Sequence, residues 1–143
     1  MLKILLAVDG SEMALRATKR LIDSMDWFKV RPEVHLVTVH LAVPLAGRVA
    51  SVLGHEVLAR YYSEEEEAAL KDARALLKSA GLTIVEHTAV GQPAVEIARL
   101  CVEHRCDVIY MGTHGRGALG GFVLGSTATK LLQLAKVPVT LVP

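Results

Sequence analysis

Six of the 11 glycines of this chain fall in one stretch, Gly112-Thr-His-Gly115-Arg-Gly117-Ala-Leu-Gly120-Gly121-Phe-Val-Leu-Gly125, followed at once by Ser126 and Thr127. Glycine admits positive φ and lets backbone N–H groups approach an anion with no Cβ in the way. Ser126 and Thr127 open a segment of helical pattern, where their hydroxyls would join the partial positive charge of a helix N-terminus. A di- or triphosphate needs donors of this kind. The competing reading is a connection whose glycines serve turns alone. A plain strand-to-helix connection takes only about two to six residues, and this one is far longer.

Two phosphate motifs can be tested against the stretch. Gly115-x-Gly117-x-x-Gly120 has the letters of the dinucleotide fingerprint. That fingerprint follows a first strand and needs an acid about 20 residues on for the ribose. No Asp or Glu occurs after Asp107, so the reading fails. Gly120-x-x-x-x-Gly125-Ser126-Thr127 resembles a P-loop, but Ser126 stands where the phosphate-binding Lys belongs. What remains is the pattern Gly112-x2-Gly115-x9-Gly125-Ser126.

Other residues carry weaker signals. Asp9 ends an apolar run and could meet a ligand, cap the following helix, or do both. His40 at a strand end reads as a structural histidine. His114 and Arg116 lie inside the glycine stretch and could reach phosphate, and Arg116 could equally be solvated. Cys101, His104 and Cys106 supply too few clustered ligands for a zinc site, and helical spacing sends Cys101 and His104 to different faces. No nucleophile–base pair and no paired carboxylates stand out for hydrolysis.

These residues depend on the elements that carry them. Lys3 to Val8 is almost wholly apolar, as a central parallel strand covered on both faces would be. Further strands are expected at Val34 to Leu41, Leu82 to Val90, Asp107 to Met111 and Val137 to Val142. Helical segments lie between them: one capped by Ser11, one opened by Glu64 to Glu67 and ended near Gly81, one opened by Pro93, and one from Ser126 to Ala135. Ala42 to Tyr61 is too long for a simple connection and suggests a flap or a partly helical insertion. The order β-α-β-α-β-α-β-α-β predicts an α/β fold with a doubly wound parallel sheet. Ligands bind such sheets beyond the carboxyl ends of the strands, where the winding reverses. That edge collects Asp9, Leu41, Gly91 and Gly112.

Composition narrows the classes. The chain has 143 residues, 52% of them hydrophobic, with a formal net charge of +1. That suits one domain with its own core and excludes a disordered chain. Near-neutral charge and only 4% aromatic residues give nucleic-acid binding little support. The longest stretches without Lys, Arg, Asp or Glu, Val34 to Gly47 and Gly117 to Thr129, are too short to span a membrane. Cys101 and Cys106 sit five apart, a poor spacing for a disulfide. A soluble protein of a reducing compartment, the cytoplasm, is expected.

The glycine pattern, together with Ile4-Leu5-Leu6-Ala7-Val8-Asp9-Gly10-Ser11, Val39-His40, Val90-Gly91-Gln92-Pro93, Met111-Gly112-Thr113-His114-Gly115-Arg116 and Val137-Pro138-Val139, resembles the universal stress protein family, specifically its ATP-binding branch. The resemblance covers nearly the whole chain. It implies a single domain over residues 1–143 with five parallel strands in the order 3-2-1-4-5, the adenine nucleotide alpha hydrolase-like arrangement. It also implies a bound ATP, with Mg or Mn. By the same resemblance Ala7, Val8 and Asp9 face the nucleoside, Asp9 near the ribose or a phosphate-bound metal. Leu41 offers backbone to the adenine edge, and Met111 and Gly112 flank base and sugar. Gly115, Gly125, Ser126 and Thr127 hold the phosphates, and Arg116 is counted with them only for its place inside the glycine stretch. Ala7 stands where many ATP-binding members have Pro, and Thr113 where Ser is common. The implied function is a nucleotide-dependent stress or signalling module. The alternatives are a slow metal-dependent ATPase and a nucleotide-independent dimeric interaction module. A homodimer through Val137 to Val142 is expected, since an exposed strand edge otherwise invites uncontrolled pairing. A receiver domain shares the strand rhythm, but Val90-Gly91-Gln92 supplies no phosphoacceptor acid.

Overall fold

A computed structural model describes residues 1–115 and 124–143. The chain runs β1 (Lys3–Ala7), α1 (Glu12–Asp23), a 3₁₀ turn (Met25–Trp27), β2 (Glu33–His40), α2 (Ala46–Leu53), α3 (His55–Ser79), β3 (Thr83–Val90), α4 (Pro93–Glu103), β4 (Val108–Gly112), α5 (Ser126–Leu134) and β5 (Val139–Val142). The strands form one parallel sheet in the order β3-β2-β1-β4-β5. This is the doubly wound α/β arrangement that the sequence predicts. The winding proceeds from β1 outward to β3, then returns to β4 on the other side of β1. The two halves therefore part between the carboxyl ends of β1 and β4.

Strand periodicity explains why both faces are covered. Successive side chains of β1 point to opposite faces, and Ile4, Leu5 and Leu6 are all fully buried. Ile4 and Leu6 join Val34, Leu36, Leu21, Leu70 and Leu77 in one core cluster, beneath α1 and α3. Leu5 joins Val37, Ile109, Ile97, Leu100 and Leu131 in the other, beneath α4 and α5. Helix ends follow local chemistry. Ser11 Oγ accepts the Ala14 N–H at 3.2 Å to start α1. Gln92 Oε1 accepts the Val95 N–H at 3.0 Å to start α4, with Pro93 in its first turn. Gly81, at φ +73°, follows the end of α3.

Most element bounds shift by a residue from the sequence reading, and three departures have a physical reason. Glu64 to Glu67 does not open a helix. Residues 42–61 are largely helical, Gly54 at φ +95° separates α2 from α3, and the acidic run lies well inside α3. The helix dipole therefore does not explain it. Instead Arg74 clasps Glu67 (2.7 Å) and Glu86 of β3 (2.6 Å), tying α3 to the sheet edge. The fourth strand begins at Val108, because the Asp107 carboxylate accepts the Lys3 N–H at 2.8 Å. The fifth begins at Val139, because Pro138 has no N–H and offers only its carbonyl, to the Ile109 N–H at 3.0 Å.

Candidate functional site

A cleft of about 460 Å³ opens at the carboxyl ends of β1, β2 and β4, within the range of about 300–1,000 Å³ usual for small-molecule sites. Ala7, Val8 and Asp9 reach it from the end of β1, Leu41 from the end of β2, and Met111 and Gly112 from the end of β4. Gly115, Gly125, Ser126 and Thr127 line its far side. Every described residue named from the sequence as a site residue thus borders one cavity. Arg116 lies outside the described residues.

The half of the cleft at the start of α5 is built by a close approach of backbones. Gly125 N–H donates to the Thr113 carbonyl at 2.8 Å, and Thr113 N–H donates to the Val142 carbonyl at 3.1 Å. A Cβ on Gly125 would fall 2.8 Å from His114 Cα and 3.1 Å from the Thr113 oxygen. A Cβ on Gly115 would collide with the Asp9 carboxylate. Gly125 is required by space, because its neighbours are backbone or fixed to it; at Gly115 the Asp9 carboxylate would have to move aside. The junction at Gly125 delivers the first turn of α5 to the cleft. The first intrahelical hydrogen bond is Thr129 N–H to the Gly125 carbonyl at 2.9 Å. The N–H groups of Ser126, Thr127 and Ala128 therefore have no acceptor within the helix. α1 and α4, which also start at this edge of the sheet, carry side-chain caps; the cap residue of α5, Gly125, has no side chain to supply one.

Asp9 is held in place beside this cradle. Its Oδ1 accepts the Ser11 N–H at 2.9 Å, while the cap of α1 is Ser11 itself. Asp9 thus braces the turn into α1 and still borders the cleft. Across the opening, Val43 N–H donates to Tyr62 Oη at 2.9 Å, fixing the segment just after Leu41 to α3. His114 Nδ1 lies 3.0 Å from Thr113 Oγ1.

Several lining residues are absent from the sequence reading of the site. Val37, Val39 and Ile97 give it an apolar floor, and nothing in their local pattern separates them from other core residues. Glu65 of α3 also borders the cleft, one member of an acidic run that otherwise faces solvent. His40, read from the sequence as a structural histidine, lines the cleft, and its buried Nδ1 has no hydrogen-bond partner among the described residues. Cys101 and Cys106 are free and buried, with Cys101 Sγ donating to the Cys106 carbonyl at 3.7 Å. His104, at the end of α4, instead stacks on His87 of β3.

Comparison with known proteins agrees with this geometry. A profile of the Universal stress protein family matches residues 1–143. Universal stress protein MJ0531 of Methanocaldococcus jannaschii is 31% identical over 98% of this chain and 81% of its own length. A universal stress protein of Thermus aquaticus is 33% identical over 97% of this chain and 96% of its own. The solved structure of MJ0577, from M. jannaschii, superposes with a TM-score of 0.78 at 26% identity, covering 99% of this chain and 94% of that one. Two more distant structures of the same fold were solved with ligands. One is a universal stress protein in complex with cAMP (24% identity, TM-score 0.68, covering 99% and 97%), and the other the Archaeoglobus fulgidus protein in complex with dAMP (22%, 0.63, covering 100% and 98%). A profile match over the full length, with relatives above 30% identity along nearly all of it, decides the placement: this chain belongs to the universal stress protein family.

Proposed function

We propose that residues 1–143 act as one universal stress protein domain that binds ATP in the cleft between β1 and β4, and that nucleotide occupancy biases its interaction with a partner. The observation that carries this reading is the first turn of α5, which has no side-chain cap among the described residues and is delivered to the cleft by the close approach at Gly125. Such a turn presents N–H donors and a partial positive charge where phosphates would lie. The apolar floor of Val37, Val39 and Ile97 suits a base and sugar. Related folds solved with cAMP and dAMP support an adenine nucleotide.

The charges at the site favour a cation with the nucleotide. Among the described lining residues there is no Lys or Arg, while Asp9 and Glu65 both border the cleft. Carboxylates facing a polyphosphate repel it unless a divalent cation lies between them. Mg²⁺ suits that place, since it binds through one or two carboxylates plus substrate phosphates; Mn²⁺ would serve similarly. Asp9 is the residue best placed to hold it, and the cation would neutralise phosphate charge. A ligand can shift a protein between states only through unequal affinity for them. The segment from Leu41 to Tyr62, pinned at Val43, is the element whose position nucleotide contact would bias.

Calorimetry with ATP in the presence and absence of Mg²⁺ tests the reading. One nucleotide per chain, bound more tightly with Mg²⁺, is the expected result. No binding at millimolar ATP by folded protein overturns it. The same cleft could support slow hydrolysis if the cation at Asp9 activated a water. Metal-dependent ADP release lost in Asp9→Ala, with ATP still bound, would favour that second reading.

A further inference from the structure

Three histidines from three separate elements meet on the α4 face of the sheet, away from the cleft. His35 comes from β2, His87 from β3 and His104 from the end of α4. Their candidate ligand atoms all lie within 4.8 Å of one another. His35 Nδ1 is 2.8 Å from His87 Nε2, and the rings of His87 and His104 stack at 3.9 Å between centroids. Half of the six histidines of the chain are gathered here.

We propose that His35, His87 and His104 form a binding site for a divalent transition-metal ion of the Zn²⁺ type, separate from the nucleotide cleft. Imidazole suits Zn²⁺, Ni²⁺ and Cu²⁺, whereas Mg²⁺ and Ca²⁺ prefer oxygen donors. The Mg²⁺ argued for the cleft would not compete for this place. Three protein ligands leave a fourth position for water or a further donor. His35 is 5% exposed at its side chain and His104 29%, so the ion would enter from the His104 side and rest against a buried ligand.

A neighbouring carboxylate fixes which nitrogen of His35 faces the cluster with its lone pair. Glu33 Oε1 lies 2.8 Å from His35 Nε2. A carboxylate only accepts, so that nitrogen carries the proton and Nδ1 presents its lone pair toward His87. A carboxylate behind a ligating histidine is the usual outer support of a metal-bound imidazole. In the metal-free state His87 Nε2–H donates to His35 Nδ1. With the ion in place that proton resides on His87 Nδ1, so both facing lone pairs point to the metal and no net proton is released. A tetrahedral ion at about 2.0–2.1 Å from each nitrogen sets them about 3.4 Å apart. The 2.8 Å pair must therefore open by roughly half an ångström, and the His104 ring must turn out of its stack on His87 to bring a nitrogen edge-on to the ion. Lys3 Nζ, 3.4 Å from the His104 carbonyl, keeps the end of α4 close to β1 during that adjustment.

The test uses full-length, tag-free protein stripped with chelator, free of nucleotide, titrated with Zn²⁺ by calorimetry and with Co²⁺ by visible absorption. One ion per chain, with the intense visible bands of a four-coordinate cobalt site, is expected. His87→Ala and His104→Gln should each weaken Zn²⁺ binding at least tenfold and remove the zinc-induced rise in melting temperature, and Glu33→Gln should weaken it about 10- to 100-fold. His114→Ala, in the nucleotide cleft, should leave it unchanged. His104→Gln changes a partly exposed residue and keeps the test available if His87→Ala does not fold. Absence of a stoichiometric site at 100 µM Zn²⁺ overturns the proposal, as does zinc binding that survives both His87→Ala and His104→Gln. ATP affinity measured on the same stripped protein separates failure here from failure of the nucleotide reading.

Discussion

Gly125→Ala probes the nucleotide cleft through a single methyl group. The added Cβ would sit 2.8 Å from His114 Cα, against the 3.4 Å at which ordinary contact begins, so the junction between β4 and α5 must open by about 0.6 Å. The three atoms at fault are His114 Cα, His114 Cβ and the Thr113 oxygen, which are backbone or fixed to it and cannot rotate away. Opening also lengthens the 2.8 Å Gly125–Thr113 hydrogen bond to about 3.4 Å, beyond good geometry. Losing that bond costs about 1 kcal/mol of stability. The larger effect falls on the ligand, because the first turn of α5 moves with Gly125. Hydrogen bonds to a charged group contribute about 1.5–3 kcal/mol each. Misaligning one of them weakens Mg·ATP about 10- to 100-fold. Calorimetry supplies the affinity, and thermal melting confirms that the variant is folded. Gly47→Ala is the control: its Cβ meets nothing within 4 Å, and it lies inside α2. It should raise stability by about 0.5–1 kcal/mol and leave ATP binding alone. Folded Gly125→Ala that binds Mg·ATP within threefold of the parent protein would refute the placement of phosphate at this junction.

Other perturbations have equally defined outcomes. Tyr62→Phe removes the acceptor of the Val43 N–H and should weaken nucleotide binding severalfold while speeding amide exchange at Val43; unchanged exchange would show that the contact does not hold the segment. Burial, reinforced by Cys101, pushes the Cys106 thiol up to about 12. The folded state therefore keeps a proton that the unfolded chain releases above about pH 8.5, so this contribution is full below that pH and is lost as pH rises toward 12. Cys106→Ala should flatten the alkaline fall in melting temperature, and alkylating reagent at pH 8 should label the thiol only in denaturant; rapid labelling of folded protein would count against it. The β5 edge should support a homodimer, visible by sedimentation; a monomer at high micromolar concentration would remove that expectation.

The sequence made the β1–β4 edge legible because its signals there are local. An apolar run ending in Asp9, and glycines packed before Ser126, are chemical constraints that a short stretch can display. The reason each glycine is needed is less legible. Gly125 faces His114 and Gly115 faces Asp9, and only the second pairing crosses a long stretch of chain. The acidic run at Glu64 to Glu67 misled because a helix-start signal depends on what precedes it. Residues 46–61, read only as a flap or partly helical insertion, are helical on both sides of a break at Gly54, with Ala50 the single buried residue among them. The histidine cluster is the least legible feature. His35 and His87 are 52 positions apart, and they meet only because β2 and β3 pair in register, with Val37 opposite His87. His104 entered the sequence reading only as a poor companion for two cysteines. Alternation along a strand hides such a residue among the apolar positions of one face.

The composition of the cleft also bears on whether a bound nucleotide would be turned over. N–H groups fixed at the start of α5 would hold phosphate before a reaction begins, and contacts equally strong in ground and transition state tighten binding without raising kcat. Turnover needs a group whose contact strengthens as charge moves, such as a base beside a water or a cation at the leaving oxygen. Among the described lining residues the titratable side chains are Asp9, Glu65, His40 and His114. Asp9 already accepts the Ser11 N–H at 2.9 Å, which anchors its carboxylate to the turn into α1. A carboxylate anchored in this way is suited to holding a cation in one place. On the proposed reading, a nucleotide held there would be retained unless the cation at Asp9 also activated a water. A single-turnover experiment puts this to the test: labelled ATP trapped with Mg²⁺ should leave the protein intact after an hour, and Asp9→Asn should shorten its residence. ADP accumulating within minutes, and lost in Asp9→Asn, would instead make Asp9 part of a hydrolytic site.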